Sequence, residues 1–147
     1  MLKRVNLKVE SFIDNLGPEG LTEGEPERTV SECLGSLRIF DGRISLTYTE
    51  QTEGSNIRSE IVCLDDRVFV TRSGAIESEL CFAEGEIHRS VYSIPPYRFD
   101  AEVETKRVRV EVNQDGGRID LLYNMTVGGA KKAARMKIWI SQASNQT

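Results

Sequence analysis

Four polar side chains occupy positions where the alternation of the sequence predicts an apolar strand face. Arg72 follows two valines at every second position, and Arg89 lies between an isoleucine and a valine in the same spacing. Tyr48 and Tyr123 each follow two aliphatic residues in the same way. A guanidinium binds a carboxylate or phosphate through two parallel hydrogen bonds, and a phenol can add another. These residues are the predicted ligand site: Tyr48, Arg72, Arg89 and Tyr123. The alternative is that both arginines reach water at strand ends or pair with acids.

The single histidine argues against catalysis by a serine triad. His88 lies in a predicted strand, and no G-x-S-x-G nucleophile motif accompanies it. A triad of His88 with Ser90 or Ser93 and an acid is the alternative, but the strand context favours a solvent-facing histidine. We therefore expect no catalytic residues and no enzymatic activity, with weak hydrolysis only a third hypothesis.

The cysteines and glycines indicate neither a metal site nor a cofactor. Cys33, Cys63 and Cys81 are odd in number and far apart, and no C-x-x-C motif is present. The Gly-Gly pairs lack the spacing of a phosphate-binding loop. Free thiols suit a reducing compartment, so we expect a cytoplasmic protein.

Length and composition predict one domain over residues 1–147. The chain has 147 residues, 39% of them hydrophobic, and a net charge of −4. No run approaches the roughly 18 apolar residues of a membrane helix, so no membrane partner is expected. Basic residues cluster at 106–109 and 131–137, but only Trp139 accompanies them as a stacking aromatic. Because the net charge is negative, these features argue against nucleic acid as the main partner.

The elements that position these residues are predicted to be strands. Apolar residues recur at every second position along most of the chain, with the clearest alternation in residues 98–141. Asp41-Gly42 and the Gly-Gly pairs at 116–117 and 128–129 predict tight reversals between strands. Only residues 129–136 have helix-like composition, and that segment is too short to be stable alone. The acidic, glycine- and proline-containing segment 16–27 predicts a solvated loop.

The strand from Arg98 to Asn113 contains a change of register. Its apolar face occupies odd positions up to Thr105 and even positions from Val108. One extra residue near Lys106 restores the alternation, which is the effect of a β-bulge. A straight strand of this length would measure roughly 50 Å, so we expect it to bend there.

The succession of hairpins favours an all-β fold. We expect roughly eight to ten strands in an antiparallel up-and-down β-barrel, because consecutive hairpins and a bent strand suit closure. A two-sheet sandwich is the competing architecture.

Three segments resemble the YwiB-like bacterial proteins in their order and spacing. They are Val70-Thr71-Arg72-Ser73-Gly74, Ile94-Pro95-Pro96-Tyr97-Arg98-Phe99, and Gly116-Gly117-Arg118-Ile119 continuing to Tyr123. The resemblance covers the chain from Val5 to Ile140. It implies a calycin-like, that is lipocalin-like, barrel of a family whose function is unknown. Lipocalins and fatty-acid-binding proteins have a similar architecture and bind small apolar ligands, although fold alone does not establish function.

Two hypotheses about function follow. The first is a cytosolic barrel that binds a small apolar or amphipathic anion. The second is an interaction protein whose outer face binds a partner or a second copy of the chain as a homodimer, without a functional lumen. Trp139 is the predicted interface residue, because it alternates with the inward-facing apolar set and so lies on the outer face.

Overall fold

The computed structural model describes residues 2–17, 24–52 and 54–143, and these residues form ten strands without a helix. The middle of the predicted acidic loop, residues 18–23, lies outside the described residues. The strands are β1 (Leu2–Asn15), β2 (Glu27–Phe40), β3 (Arg43–Thr52), β4 (Ser55–Leu64), β5 (Arg67–Gly74), β6 (Glu77–Phe82), β7 (Ile87–Ile94), β8 (Tyr97–Asn113), β9 (Gly116–Val127) and β10 (Ala130–Gln142). Among these described residues, no helix long and apolar enough to cross a membrane is present.

The ten strands form one closed antiparallel barrel. Each strand pairs with its neighbour in sequence, and β1 pairs with β10 to close the sheet, with Leu7 opposite Ile140. The predicted all-β up-and-down barrel is confirmed, and the sandwich is excluded. The segment with helix-like composition, 129–136, lies mostly within β10.

The inner face of the barrel carries the apolar core. Every second residue along most strands is buried, as the alternation predicts. Leu37, Leu46, Ile61, Ile119 and Leu121 are among the fully buried side chains. Burying each such side chain stabilises the fold by roughly 1.5–3 kcal/mol. Among the described residues, the core cluster draws on every strand except β7.

A β-bulge at Lys106 corrects the register of β8, as the sequence predicts. Thr105 pairs with Tyr123 of β9, and Arg107 pairs with the preceding residue, Leu122, so Lys106 is left over. The extra residue allows Thr105 and Val108 both to face the interior. The bulge thus keeps the whole of this long strand within one continuous core.

The two ends of the barrel differ in character. We call the end with the β3–β4, β5–β6, β7–β8 and β9–β10 turns the proline end, after Pro95 and Pro96 in the β7–β8 turn. Two pairs of neighbouring strands, β2 with β3 and β6 with β7, are hydrogen-bonded along only part of their length. The described register of β2 with β3 stops at Gly35 and Tyr48, although both strands continue toward the proline end. β6 and β7 share only two register pairs.

Glycines at the β8–β9 reversal allow a close approach of three strands. The turn itself consists of Gln114 and Asp115, and Gly116 and Gly117 open β9 instead of forming the centre of the turn. Both glycines have positive φ angles, 123° and 142°. A Cβ on Gly117 would collide with the backbone carbonyl of Glu111 on β8.

We predict that Gly117→Ala destabilises the protein by roughly 3 kcal/mol or more, because positive φ and a backbone clash add together. Gly129→Ala is the matched control: its φ of 87° is also positive, but nothing lies within 4 Å of the added Cβ. The control should cost only about 1–2 kcal/mol. Urea denaturation measures both values. Equal losses would show that β9 can move away from β8 here.

Candidate functional site

A row of polar side chains crosses the inner face of the barrel near the proline end. Tyr48 of β3 pairs with Ser59 of β4, Ser59 with Arg72 of β5, and Arg72 with Ser78 of β6. Directly paired residues on adjacent antiparallel strands have Cβ atoms roughly 5 Å apart. These four side chains therefore follow one another across four of the ten strands of the barrel wall. We call them the inner polar row.

The inner polar row is buried but lacks protein partners. Tyr48, Ser59 and Ser78 are 3%, 0% and 5% exposed. Their hydroxyls, and the Nε of the half-buried Arg72, find no hydrogen-bond partner in the part of the chain that the structure describes. An unsatisfied buried polar group costs about 1–3 kcal/mol. Four such groups in succession form a concentrated set of unused hydrogen-bonding groups.

The guanidinium of Arg72 carries an uncompensated positive charge. No carboxylate of the described residues lies within ion-pair distance of it. By contrast, Arg135 on the outer face binds the buried carboxylate of Asp120 through two hydrogen bonds of 3.2 and 2.9 Å. Those bonds lower the pKa of Asp120. Arg72 is thus a half-buried cation that remains available to an anion.

Burial keeps the phenols of this end in their neutral, donating form. Burial raises the pKa of Tyr48 to about 12, although the nearby charge of Arg72 lowers it in part. The Ser59 hydroxyl also lowers it slightly, because it lies close to the phenol without meeting hydrogen-bond geometry. The pKa of Tyr123 is also raised, because the effect of burial exceeds that of the nearby positive charge of Arg72, which lowers it. Tyr123 faces inward from β9, and its ring packs edge-on against Phe82 with centroids 4.8 Å apart. Three of the four predicted ligand residues therefore lie in one neighbourhood.

The predicted inward orientation of Arg89 is wrong. Its side chain is 85% exposed and pairs with Glu102 on the outer face, Nε to Oε2 3.3 Å. The apolar residues that flank it, Ile87 and Val91, also face outward and are 53% and 41% exposed. β7 contributes no described residue to the core cluster, so its apolar alternation does not mark the inner face. Arg89 borders an open outer groove of about 840 Å³ over β5–β8 that Arg72 also borders.

Sequence reasoning missed several polar residues at this end. Ser59 and Ser78 alternate with aliphatic residues on the inward face, which was the available signal. Glu50 lies two residues beyond Tyr48 on the same face of β3 and accepts a hydrogen bond from Ser31 Oγ at 2.6 Å. That bond spans the unpaired seam between β2 and β3, where residues 31–33 and 49–51 line a cavity of about 260 Å³. No signal in the sequence alone indicates this seam.

Trp139, the predicted interface residue, lies on the outer face. Lys8 and Lys137 place their Nζ atoms 5.4 and 5.8 Å from the centre of its ring. Cations over an indole ring contribute about 0.5–1 kcal/mol each at exposed sites. Trp139 also borders an open groove of about 610 Å³ together with the exposed Leu34. Its role at an interface stays a prediction.

The lone histidine belongs to a separate polar cluster at the other end of the barrel. His88 Nε2 lies 3.0 Å from Glu86 Oε1 and 3.3 Å from Arg67 NH1. Its side chain is 31% exposed, so the predicted contact with solvent is only partial. Within the described residues, no three histidine, cysteine or carboxylate side chains are arranged to hold a metal ion. The lack of enzymatic activity stays a prediction.

We predict that Tyr48→Phe is as stable as the parent or more stable at neutral pH, because it removes a buried hydroxyl without a partner. The raised pKa of Tyr48 also predicts in which direction the stability changes with pH. The unfolded tyrosine ionises from its ordinary value of 10.0 and the folded one only near 12. The free energy of unfolding of the parent should therefore fall by up to about 2.7 kcal/mol between pH 10 and 12, and Tyr48→Phe should lack this part of the decrease.

Urea denaturation at pH 7, 9 and 11 measures this difference. Tyr97→Phe is the control, because Tyr97 is 66% exposed and should follow the parent curve. If Tyr48→Phe proved clearly less stable at pH 7, the hydroxyl would have a structural partner and would not be free for a ligand.

Comparison with known proteins places this fold and sequence among uncharacterised bacterial barrels. The "Uncharacterized beta-barrel protein YwiB" of Bacillus subtilis (strain 168) is 23% identical over 124 residues, 84% of this chain and 82% of that protein. The crystal structure of the ywiB protein from Bacillus subtilis superposes with a TM-score of 0.83 at 21% identity, over 97% of this chain and 94% of that one. At this identity the structural likeness concerns the fold. Residues 19–140, most of the chain, match a family, and the protein therefore belongs to that family, which is described as Domain of unknown function (DUF1934).

Proposed function

We propose that this barrel binds a small amphipathic anion at its proline end, with Arg72 as the cationic anchor. The observation that carries this proposal is the inner polar row itself: a half-buried guanidinium without a carboxylate partner beside three buried hydroxyls without partners. A carboxylate or phosphate head would accept hydrogen bonds from both kinds of donor. Such charge-assisted bonds are roughly twice as strong as neutral ones.

The surroundings of the inner polar row favour a small ligand. Val70 lies two residues from Arg72 on β5, and Leu80 lies two residues from Ser78 on β6. Both belong to the packed core, as does Phe82. Packed side chains of this kind occupy the barrel interior beyond the row. A ligand head at Arg72 would therefore meet apolar walls at once, but the core leaves little depth for a long acyl chain. Short or branched organic acids suit this geometry better than fatty acids.

We further propose that the protein acts as a binder in the cytoplasm and not as an enzyme. Cys33, Cys63 and Cys81 are all free thiols, which suits a reducing compartment. Burial raises the pKa of Cys63 to about 12, so that thiol is a poor nucleophile.

The test of the anion site is a thermal-shift assay with short-chain carboxylates and inorganic phosphate. We expect at least one of these anions to raise the melting temperature of the parent, because ligands that bind only the native state stabilise it. Arg72→Met should abolish that increase. It should not destabilise the unliganded protein, because it removes a buried charge that has no partner.

Arg89→Met is the matched control for the loss of a positive charge. It changes an exposed arginine on the outer face, so its response to anions should equal that of the parent. If Arg89→Met lost the response together with Arg72→Met, the anion would bind in the outer groove and not at the inner polar row. No response of the parent to any of these anions would refute the site altogether.

A protein-interaction role is the alternative function. The supporting observation is the outer groove over β1 and its neighbours β2 and β10, which is lined by Leu34, 53% exposed, and by Trp139. Exposed apolar side chains next to an aromatic residue are typical of the centre of an interface. A second copy of this chain is the simplest partner.

If this face forms a homodimer, sedimentation velocity should show the mass doubling as concentration rises, and Trp139→Ala should weaken the association. Phe69→Ala is the control, since Phe69 is 38% exposed on the outer face of β5, away from this groove. A monomer at every concentration would exclude the homodimer. Weakening by Phe69→Ala alone would place the interface elsewhere.

A further inference from the structure

Two opposite charges that do not pair with each other lie on the inner face at the proline end. Glu50 accepts a hydrogen bond from Ser31 Oγ, and no ion pair joins it to any described cation. Arg72 likewise lacks a carboxylate partner. Both face the same interior, because Glu50 shares the face of Tyr48, and Tyr48 is linked to Arg72 through Ser59 in the register.

The spacing of these two charges suits a ligand that carries both signs. Glu50 lies two strands away from Arg72 and two residues further toward the proline end. With strands about 4.8 Å apart and about 3.3 Å per residue, their Cα atoms are separated by roughly 12 Å. Both side chains project from the barrel wall toward the interior, so one small ligand that carries both signs can lie between the two charged groups.

The phenol of Tyr48 lies between these charges. The positive charge of Arg72 lowers the pKa of Tyr48, whereas the negative charge of Glu50 raises it, so both act on the same hydroxyl. That hydroxyl is buried and has no partner in the described chain. Glu50 borders the cavity of about 260 Å³ between β2 and β3, and Arg72 borders the groove over β5–β8, so a small molecule can approach each charged residue from outside.

We infer that the ligand is a zwitterion of the amino-acid type, whose carboxylate binds Arg72 and whose ammonium group binds Glu50. The Tyr48 hydroxyl donates to the carboxylate between them. This inference rests on the proposed anion site and adds to it a second, acidic subsite. A carboxylate held by Ser31 at 2.6 Å is fixed in place before the ligand arrives, which reduces the entropy lost on binding.

The test compares amino acids with the same acids lacking the ammonium group. The pairs are L-alanine with propionate, L-leucine with 4-methylpentanoate, and L-phenylalanine with 3-phenylpropionate, measured by titration calorimetry. The parent protein should bind one amino acid at least about tenfold more tightly than its deaminated counterpart, since a charge-assisted hydrogen bond is worth that factor. This comparison needs no variant, so it stands even where a substitution impairs folding.

Variants then assign the preference to Glu50. Glu50→Gln should reduce the affinity for the amino acid to that for the deaminated acid, while the acid itself binds as before or better. Glu60→Gln is the control, because Glu60 lies on the exposed outer face of the neighbouring strand. Arg72→Met should abolish binding of both members of a pair.

The outcomes separate this inference from the proposed function. Deaminated acids that bind through Arg72 as tightly as the amino acids would overturn the zwitterion and leave the anion site standing. A preference for amino acids that survives Glu50→Gln would also overturn it. If neither member of any pair binds the parent, both the zwitterion and the anion site are wrong.

Discussion

The pairing of β1 with β10 is the constraint on which the rest of this structure depends. It closes the sheet, so every strand has a neighbour on both sides and has one inner and one outer face. In such a barrel a slip of one residue would exchange the two faces of a strand. The β-bulge at Lys106 adds one residue to β8 and so prevents such an exchange of faces along that strand. It keeps Val103 and Val108, which differ in parity, on the same inner face.

Closure explains why alternation in the sequence predicts so much of the fold. A strand that packs on the core must present apolar side chains at every second position, and the pattern predicts roughly eight to ten such strands. The bulge is predictable for the same reason, since it appears as a change of parity. β7 breaks the rule because it contributes no described residue to the core and shares only two register pairs with β6. Its apolar residues face outward, so the pattern assigned Arg89 to the wrong face.

The candidate site is predictable only where a large polar side chain interrupts an apolar face. Arg72 and Tyr48 are conspicuous in this way. Ser59 and Ser78 are not, because small hydroxyl residues occur on both faces of strands. What identifies them is the register across three neighbouring strands, which places Ser59 directly between Tyr48 and Arg72. Register between distant segments follows from tertiary pairing and cannot be taken from one sequence pattern.

The inner polar row carries an energetic cost that the core must offset. Each unsatisfied group costs about 1–3 kcal/mol, which is a large share of the 5–15 kcal/mol stability typical of a domain. The core can bear this cost because the row occupies one end of the barrel, where Arg72 is only half-buried. A ligand that accepted hydrogen bonds from these groups would offset part of this cost, and it would stabilise the native state at concentrations above its dissociation constant. The proposed function would therefore couple the stability of the native state to the occupancy of the site through the same few side chains.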